Sequence, residues 1–179
     1  MEYKIGKVLI SKEEIQNRIK ELAEEIKRDY AGKTLVCICV LRGASVFMTD
    51  LVRAIGPDVD VRMDFMAISS YGSSTKSSGV VKIQKDLTDD INGHHVLIVE
   101  DIVDTGLSLS YLRNLLEDRN PASVKVCVLL DKTERRVKEV EVEYTGFKIP
   151  NEFVIGYGLD CAEKFRQLDQ IHIAVPDGE

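Results

Sequence analysis

The sequence feature that most constrains this chain is a stretch at residues 96–108, where an apolar run leads through acids and a glycine into a helix. Residues 96–99 are apolar and mostly β-branched, which is typical of a strand buried on both faces of a parallel sheet. Behind this run come three acids and four mostly small residues: Glu100, Asp101, Asp104, Thr105, Gly106, Leu107 and Ser108. Because open α/β sheets bind ligands at the carboxyl ends of their strands, we expect a ligand site here.

The crowding of the three carboxylates indicates what kind of ligand the site takes. Two like charges about 5 Å apart repel by about 3 kcal/mol at an effective dielectric constant near 20. A divalent cation or sugar hydroxyls would relieve this repulsion, and the amides of residues 104–108, at a helix start, favour an anion such as phosphate. The pattern therefore predicts a site for a phosphorylated sugar. The alternative is an acidic loop that only caps the helix.

Composition sets the wider limits. A chain of 179 residues with 44% hydrophobic and 30% charged residues is typical of one soluble α/β domain. Its net charge of −6 argues against non-specific binding to nucleic acid or to anionic membranes. The sequence has no long uncharged apolar window, its first residues do not resemble a secretory signal, and its four cysteines form no CxxC pair. We therefore expect a cytoplasmic protein without a nucleic-acid or membrane partner.

Periodicity and turn residues predict an α/β fold, with a mostly parallel core sheet flanked by helices. Ser11 and Glu14 form a capping box at the start of a helix predicted over 11–31. Residues 133–150 are charged and irregular. The remaining elements are predicted as strands over 34–41, 59–69, 80–84, 124–130 and 171–175, and as helices over 44–55 and 108–118.

Three other places carry candidate chemistry. Arg42 and Gly43 stand between a strand and a helix, a position that suits anion binding. The polar run at 70–79 is longer than a hairpin connection needs, so we interpret it as an active-site lid, with a simple hairpin as the alternative. Lys132 follows a buried strand and is either a solvated tip or a substrate contact; spacing does not decide between them.

Residues 100–106, Glu-Asp-x-x-Asp-Thr-Gly, resemble the phosphoribosyl pyrophosphate signature of the type I phosphoribosyltransferases, in particular the branch that acts on hypoxanthine and guanine. Residues 41–43, 70–71 and 132 with 153–166 agree with that family in the same order. The resemblance implies an Mg²⁺-dependent enzyme of purine salvage. It would transfer a 5-phosphoribosyl group from phosphoribosyl pyrophosphate to N9 of a 6-oxopurine, giving IMP or GMP and pyrophosphate.

The resemblance also implies a role for each matching residue. Asp104 is the general base at purine N7, and residues 100, 101 and 104–108 bind the phosphoribosyl group. Pyrophosphate is bound by Arg42, Gly43 and Arg166, the purine by Lys132, Phe153, Val154 and Asp160, and Mg²⁺ by Glu100, Asp101 and Asp160. Ser70 and Tyr71 belong to the lid, and the peptide between Leu41 and Arg42 is expected to be cis.

The resemblance further implies one domain over residues 1–179, with a hood formed by the amino-terminal segment and roughly residues 150–179, and assembly as a homodimer or homotetramer. Two alternatives stay open. A phosphoribosyltransferase for another base, such as xanthine or adenine, would share the same motifs. An RNA-binding regulator of the same fold would need a basic face, which this acidic chain lacks.

Overall fold

In a computed structural model that describes residues 1–70 and 81–178, the chain alternates strands with helices. No helix in this described part has the length and apolarity to cross a lipid bilayer. The elements in chain order are β1 (Tyr3–Ile10), α1 (Lys12–Asp29), β2 (Thr34–Leu41), α2 (Ser45–Ile55), β3 (Asp60–Ser70), β4 (Val81–Lys85), β5 (His95–Val103), α3 (Leu107–Glu117), β6 (Ser123–Asp131), β7 (Tyr144–Lys148), β8 (Val154–Ile155) and β9 (Ile171–Pro176).

The larger sheet has the strand order β4-β3-β2-β5-β6-β7, in which only β4 runs antiparallel to its neighbour. Side chains alternate across β5, so that Leu97 and Val99 pack into one core and Val96 and Ile98 into the other. Helices α1 and α2 cover the first core, and α3 covers the second. The predicted α/β fold, a mostly parallel sheet flanked by helices, is therefore confirmed.

A smaller antiparallel sheet has the order β1-β9-β8. It joins the amino-terminal strand to two strands that follow residue 150. Because β2, β5 and β6 are parallel neighbours, their carboxyl ends meet at one edge of the larger sheet. The ends of these strands and the segments that follow them carry most of the residues for which the sequence predicted a role.

Two local predictions met different outcomes. The capping box of α1 is present, with Ser11 accepting a hydrogen bond from the Glu14 amide and the Glu14 side chain accepting one from the Ser11 amide. The prediction of an irregular stretch at 133–150 was wrong for Tyr144–Lys148, because β7 pairs in parallel with β6 at the edge of the sheet. This strand is short and contains Gly146, so it lacks the apolar alternation that reveals a strand in a sequence.

The four cysteines are free and occupy two kinds of environment. Cys37 and Cys39 on β2 and Cys127 on β6 are buried, whereas Cys161 is partly exposed. Burial raises the pKa of Cys37 and of Cys39 to about 12, and it also raises the pKa of Cys127. Three of the thiols therefore act as small core hydrophobes.

Candidate active site

Glu100 and Asp101 lie side by side near the carboxyl end of β5. Burial raises the pKa of Glu100, and the neighbouring charge of Asp101 raises it further. Burial likewise raises the pKa of Asp101 to about 6, although its carboxylate accepts a 2.7 Å hydrogen bond from the Ile102 amide and lies near Arg166. The protein thus compensates the negative charge of the two ionised carboxylates only in part. This favours a ligand that brings positive charge or hydroxyl donors.

Successive residues on β5 point to opposite sides, so the two acids face different cavities. Glu100 lines a cavity of about 140 Å³ together with Asp104, Thr105, Gly106 and Ser108. The amino terminus of α3 opens into the same place, since this helix begins at Leu107. Amides at a helix start beside small hydroxyl side chains suit a phosphate group. The structure thus brings five of the seven predicted phosphoribosyl residues into this cavity, whereas Asp101 lines another cavity and Leu107 begins the helix.

Gly106 shapes this cavity. Its φ is +83°, and a Cβ built on it would lie only 2.3 Å from the Lys138 carbonyl oxygen. The neighbouring Thr105 carbonyl accepts hydrogen bonds from the amides of Val137 and Lys138, at 2.9 and 3.0 Å. The segment after β6 therefore holds the turn between β5 and α3 in place through its backbone.

The turn after β2 lies against Asp101. The peptide between Leu41 and Arg42 is cis, as the resemblance implied. A Cβ on Gly43 would fall 1.8 Å from Oδ2 of Asp101, so this approach is open to glycine alone. On the other side, a Cβ on Gly158 would fall 2.2 Å from the Gly43 carbonyl oxygen. The Arg42–Gly43 turn is thus enclosed between β5 and the segment that follows β8.

That segment supplies a cluster of alternating charges. Nη1 of Arg166 donates a 2.7 Å hydrogen bond to the Gly158 carbonyl, and its Nη2 lies 3.3 Å from Oδ1 of Asp160. Nη2 of Arg42 lies 2.6 Å from Oε2 of Glu163. The three predicted residues Arg42, Asp160 and Arg166 therefore come together. Glu163 was missed, because its contact with Arg42 joins residues far apart in the chain.

A second cavity, of about 340 Å³, adjoins the acids and carries the predicted purine-binding residues. Lys132 is buried at its wall, and burial lowers the pKa of its ammonium group against the opposing effect of the Asp104 charge. Phe153 is 44% exposed and lies edge-on to Tyr3, with ring centroids 5.1 Å apart. The cavity is lined by Asp101, Ile102, Asp104, Lys132, Arg135, Phe153, Val154, Leu159 and Asp160.

Asp104 lines both cavities, and it has two arginine neighbours that the sequence did not predict. Its Oδ1 lies 3.1 Å from Nε of Arg135 in an ion pair without hydrogen-bond geometry. Its backbone carbonyl accepts a 3.2 Å hydrogen bond from Nε of Arg136. Both arginines lie in the charged stretch after Lys132, where no periodicity distinguishes them from solvated residues.

One prediction cannot be compared with the structure. Ser70 is the last residue of β3, whereas Tyr71 and the rest of the predicted lid to residue 79 lie outside the described residues.

An acidic strand end beside a helix amino terminus, with a cavity next to it that holds a buried lysine and an aromatic ring, defines a class of protein that binds a phosphorylated sugar together with a flat base. Residues 11–162 match the family profile described as "Phosphoribosyl transferase domain". The chain belongs to the phosphoribosyltransferase family.

Within that family, three similar proteins carry more particular names. The hypoxanthine-guanine phosphoribosyltransferase of Streptococcus pneumoniae is 50% identical over 97% of this chain and 95% of its own length. The one of Mycobacterium bovis is 54% identical over 93% of this chain and 85% of its own. A crystal structure of the Bacillus anthracis hypoxanthine-guanine phosphoribosyltransferase superposes with a TM-score of 0.91 at 45% identity, covering 98% of this chain and 100% of that one.

Proposed function

We propose that this chain is a hypoxanthine-guanine phosphoribosyltransferase of purine salvage. It transfers the 5-phosphoribosyl group of phosphoribosyl pyrophosphate to N9 of hypoxanthine or guanine, giving IMP or GMP and pyrophosphate. The observation that carries the proposal is the arrangement of two cavities on either side of the acids of β5, one at a helix amino terminus and one around a buried lysine. Phosphate and a 6-oxopurine are the ligands that these two chemistries suit.

The phosphoribosyl group is bound in the smaller cavity. Amides and hydroxyls of residues 105–108 hold the 5′-phosphate, in the favourable field of the α3 amino terminus. Glu100 accepts hydrogen bonds from the ribose hydroxyls in this cavity, and Asp101 accepts them from the side of the larger cavity. Their negative charge also favours the positive charge that develops on the ribose as its bond to pyrophosphate breaks.

The purine is bound in the larger cavity. Lys132 has three donors and no acceptor, so it pairs with the 6-carbonyl oxygen of hypoxanthine or guanine and not with the amino group of adenine. Phe153 covers the face of the base, and the main chain of Val154 and Asp160 meets its edge. Asp104 accepts the proton of N7, which makes N9 a better nucleophile.

Pyrophosphate is held by the Arg42–Gly43 amides and by Arg166, which lies at the same turn. Mg²⁺ would be held by Glu100, Asp101 and Asp160. The donor set fits, because carboxylates are the oxygen ligands Mg²⁺ prefers and burial leaves the charge of the first two poorly compensated. Among the described residues no group of three or more metal-ligating side chains is close enough to form a metal site. The ion would therefore need substrate oxygens among its ligands. When bound, Mg²⁺ neutralises negative charge on the leaving pyrophosphate.

The small sheet of β1, β8 and β9 is proposed as the hood over the purine, within a single domain. The edge contact between Tyr3 and Phe153 supports this assignment, because it joins the amino-terminal strand to the proposed base-binding aromatic. A homodimer or homotetramer, a cytoplasmic location and a lid at residues 70–79 stay predictions.

A steady-state assay tests the function directly. The purified chain is mixed with phosphoribosyl pyrophosphate, Mg²⁺ and one of hypoxanthine, guanine, xanthine or adenine, and the nucleotide and pyrophosphate products are measured. We expect IMP and GMP from the first two bases, and no IMP when Mg²⁺ is chelated. Comparable rates with adenine would contradict the base assignment. Absence of any nucleotide together with retention of structured RNA on a filter would favour the RNA-binding alternative.

A further inference from the structure

We propose that Arg136 is a positioning residue, which fixes the direction of Asp104 relative to Lys132. The inference rests on the proposed function, in which these two side chains act on the same purine. Arg136 lies four residues after Lys132, in the segment that crosses the turn between β5 and α3. It lines neither cavity itself but contacts Asp104, which lines both, so it acts through that residue.

The two ends of its guanidinium hold different strands. Nε donates a 3.2 Å hydrogen bond to the backbone carbonyl of Asp104, just after β5. Nη2 donates to the carboxylate of Asp131, the last residue of β6 and the neighbour of Lys132. The side chains of Arg136 and Asp131 are only 11% and 9% exposed. The guanidinium therefore bridges, inside the protein, the backbone positions from which the proposed base and the proposed purine lysine project.

A guanidinium suits this task because its planar fork fixes the angle between the groups it binds, whereas the single nitrogen of a lysine does not. Burial strengthens both contacts by excluding competing water. Rotation of the Asp104 peptide would break the Nε bond, so the carbonyl is held and the backbone from which the carboxylate projects keeps its direction. The backbone of Lys132 is also held next to Asp104, because its amide donates a 3.0 Å hydrogen bond to the carbonyl of Val103, the residue before Asp104.

The neighbouring Arg135 has a different role in this geometry. Its side chain is 49% exposed, and it contacts the Asp104 carboxylate itself at 3.1 Å. A purine that uses that carboxylate competes with Arg135 but leaves the backbone bond of Arg136 intact. The phosphate cradle is also held separately, because the Val137 and Lys138 amides bind the Thr105 carbonyl at 2.9 and 3.0 Å. Loss of the Arg136 side chain should thus affect proton transfer more than binding of phosphoribosyl pyrophosphate.

The test compares Arg136→Lys with a matched control, Arg113→Lys. Arg113 is also an inner guanidinium, with a side chain 14% exposed, and it donates to Glu143 at 2.7 Å and to the Val124 carbonyl at 2.9 Å. It lines neither cavity. Arg136→Lys keeps a positive charge beside Asp131 but cannot also direct the Asp104 carbonyl. We expect kcat to fall about tenfold or more, because small misplacements of reacting groups are costly, with KM for phosphoribosyl pyrophosphate within about threefold of the wild type.

Chemical rescue supplies a second readout that a general loss of stability would not produce. Arg136→Ala is assayed with added guanidinium chloride at low millimolar concentration and, in parallel, with methylammonium chloride. Guanidinium should restore part of kcat, because it can bind both partners, whereas methylammonium should not. If Arg136→Ala does not fold, the kcat of Arg136→Lys decides the question alone.

The outcomes separate the two proposals. A wild-type kcat in Arg136→Lys overturns the positioning role, as does a loss of kcat that Arg113→Lys shares in proportion to its loss of thermal stability. An unaltered wild-type enzyme that makes no IMP or GMP overturns the proposed function, and the positioning role with it. A fall in kcat confined to the Arg136 variants, with rescue by guanidinium only, supports the inference.

Discussion

Gly43→Ala tests the close approach between the Arg42–Gly43 turn and the acids of β5. The added methyl would sit 1.8 Å from Oδ2 of Asp101 and 2.7 Å from its Cγ. Real Cβ contacts essentially never fall below 3.0 Å, so the carboxylate or the turn must move by more than about 1 Å. The φ of Gly43 lies outside the left-handed region, and the methyl group alone is therefore the perturbation.

The expected loss in the free energy of unfolding follows from the contacts that Asp101 would lose. Its carboxylate accepts a 2.7 Å hydrogen bond from the Ile102 amide. Loss of a hydrogen bond to a charged group costs about 1.5–3 kcal/mol, and a side chain forced off its rotamer costs about 0.5–1.5 kcal/mol more. We therefore expect the free energy of unfolding to fall by about 2–4.5 kcal/mol. If the turn moves instead, its amides leave the pyrophosphate site and KM for phosphoribosyl pyrophosphate rises.

A double-mutant cycle identifies the clash. Asp101→Ala removes the carboxylate and leaves its Cβ at 3.5 Å from the new methyl, an ordinary contact. Urea unfolding is measured for the wild type, both single variants and the double variant. The loss from Gly43→Ala should shrink to within about 0.5 kcal/mol of zero in the Asp101→Ala background.

Gly93→Ala is the control, because its φ of +74° strains alanine while the space around it is open. Left-handed strain alone costs about 1–2 kcal/mol. An equal loss from Gly43→Ala in both backgrounds would refute the reasoning, and so would a loss near zero in the wild-type background.

Three further predictions concern Asp104 and Lys132. Asp104→Asn should lower kcat by about 10²–10⁴-fold with little change in the affinity for phosphoribosyl pyrophosphate, since only the proton transfer is lost; an unchanged kcat in steady-state assays would contradict the general-base role. Lys132→Ala should lower kcat/KM for hypoxanthine and guanine by orders of magnitude, whereas the wild type should discriminate against adenine by about 10⁴-fold; similar wild-type values for adenine and hypoxanthine would show the base assignment to be wrong. Because burial lowers the pKa of Lys132 below 10.5, kcat/KM for hypoxanthine should fall on the alkaline side before that value. The cost of burying the charged lysine should decrease as the pH rises through the lowered pKa and be absent from the unfolding free energy above 10.5. Lys132→Arg should lose this alkaline limb, and a limb that persists there would assign it to another group.

The sequence could predict the part of the site that consecutive residues form. Residues 100–108 lie on one strand end, one turn and one helix start, so their order in the chain is also their order in space. The Arg42–Gly43 turn was predictable for the same reason. In both places, a buried strand followed by glycine at a helix start leaves few other geometries.

The contacts that the sequence did not reveal join segments that are distant in the chain. Arg42 meets Glu163 across 121 positions, and the Arg136 bridge depends on the parallel pairing of β5 with β6. No periodicity marks such residues, because their side chains respond to a neighbour supplied by another element. The same holds for β7, an edge strand whose burial depends on β6 beside it.

The uneven burial of the cysteines makes the unmodified chain suitable for site-selective labelling. The pKa of Cys37 and of Cys39 is raised to about 12, and Cys127 is buried on β6, so these thiols stay protonated and inaccessible at neutral pH. Cys161 is partly exposed and follows Asp160 directly. A maleimide fluorophore should therefore attach at one position, beside the proposed pyrophosphate subsite, where its emission can report ligand binding without an engineered cysteine.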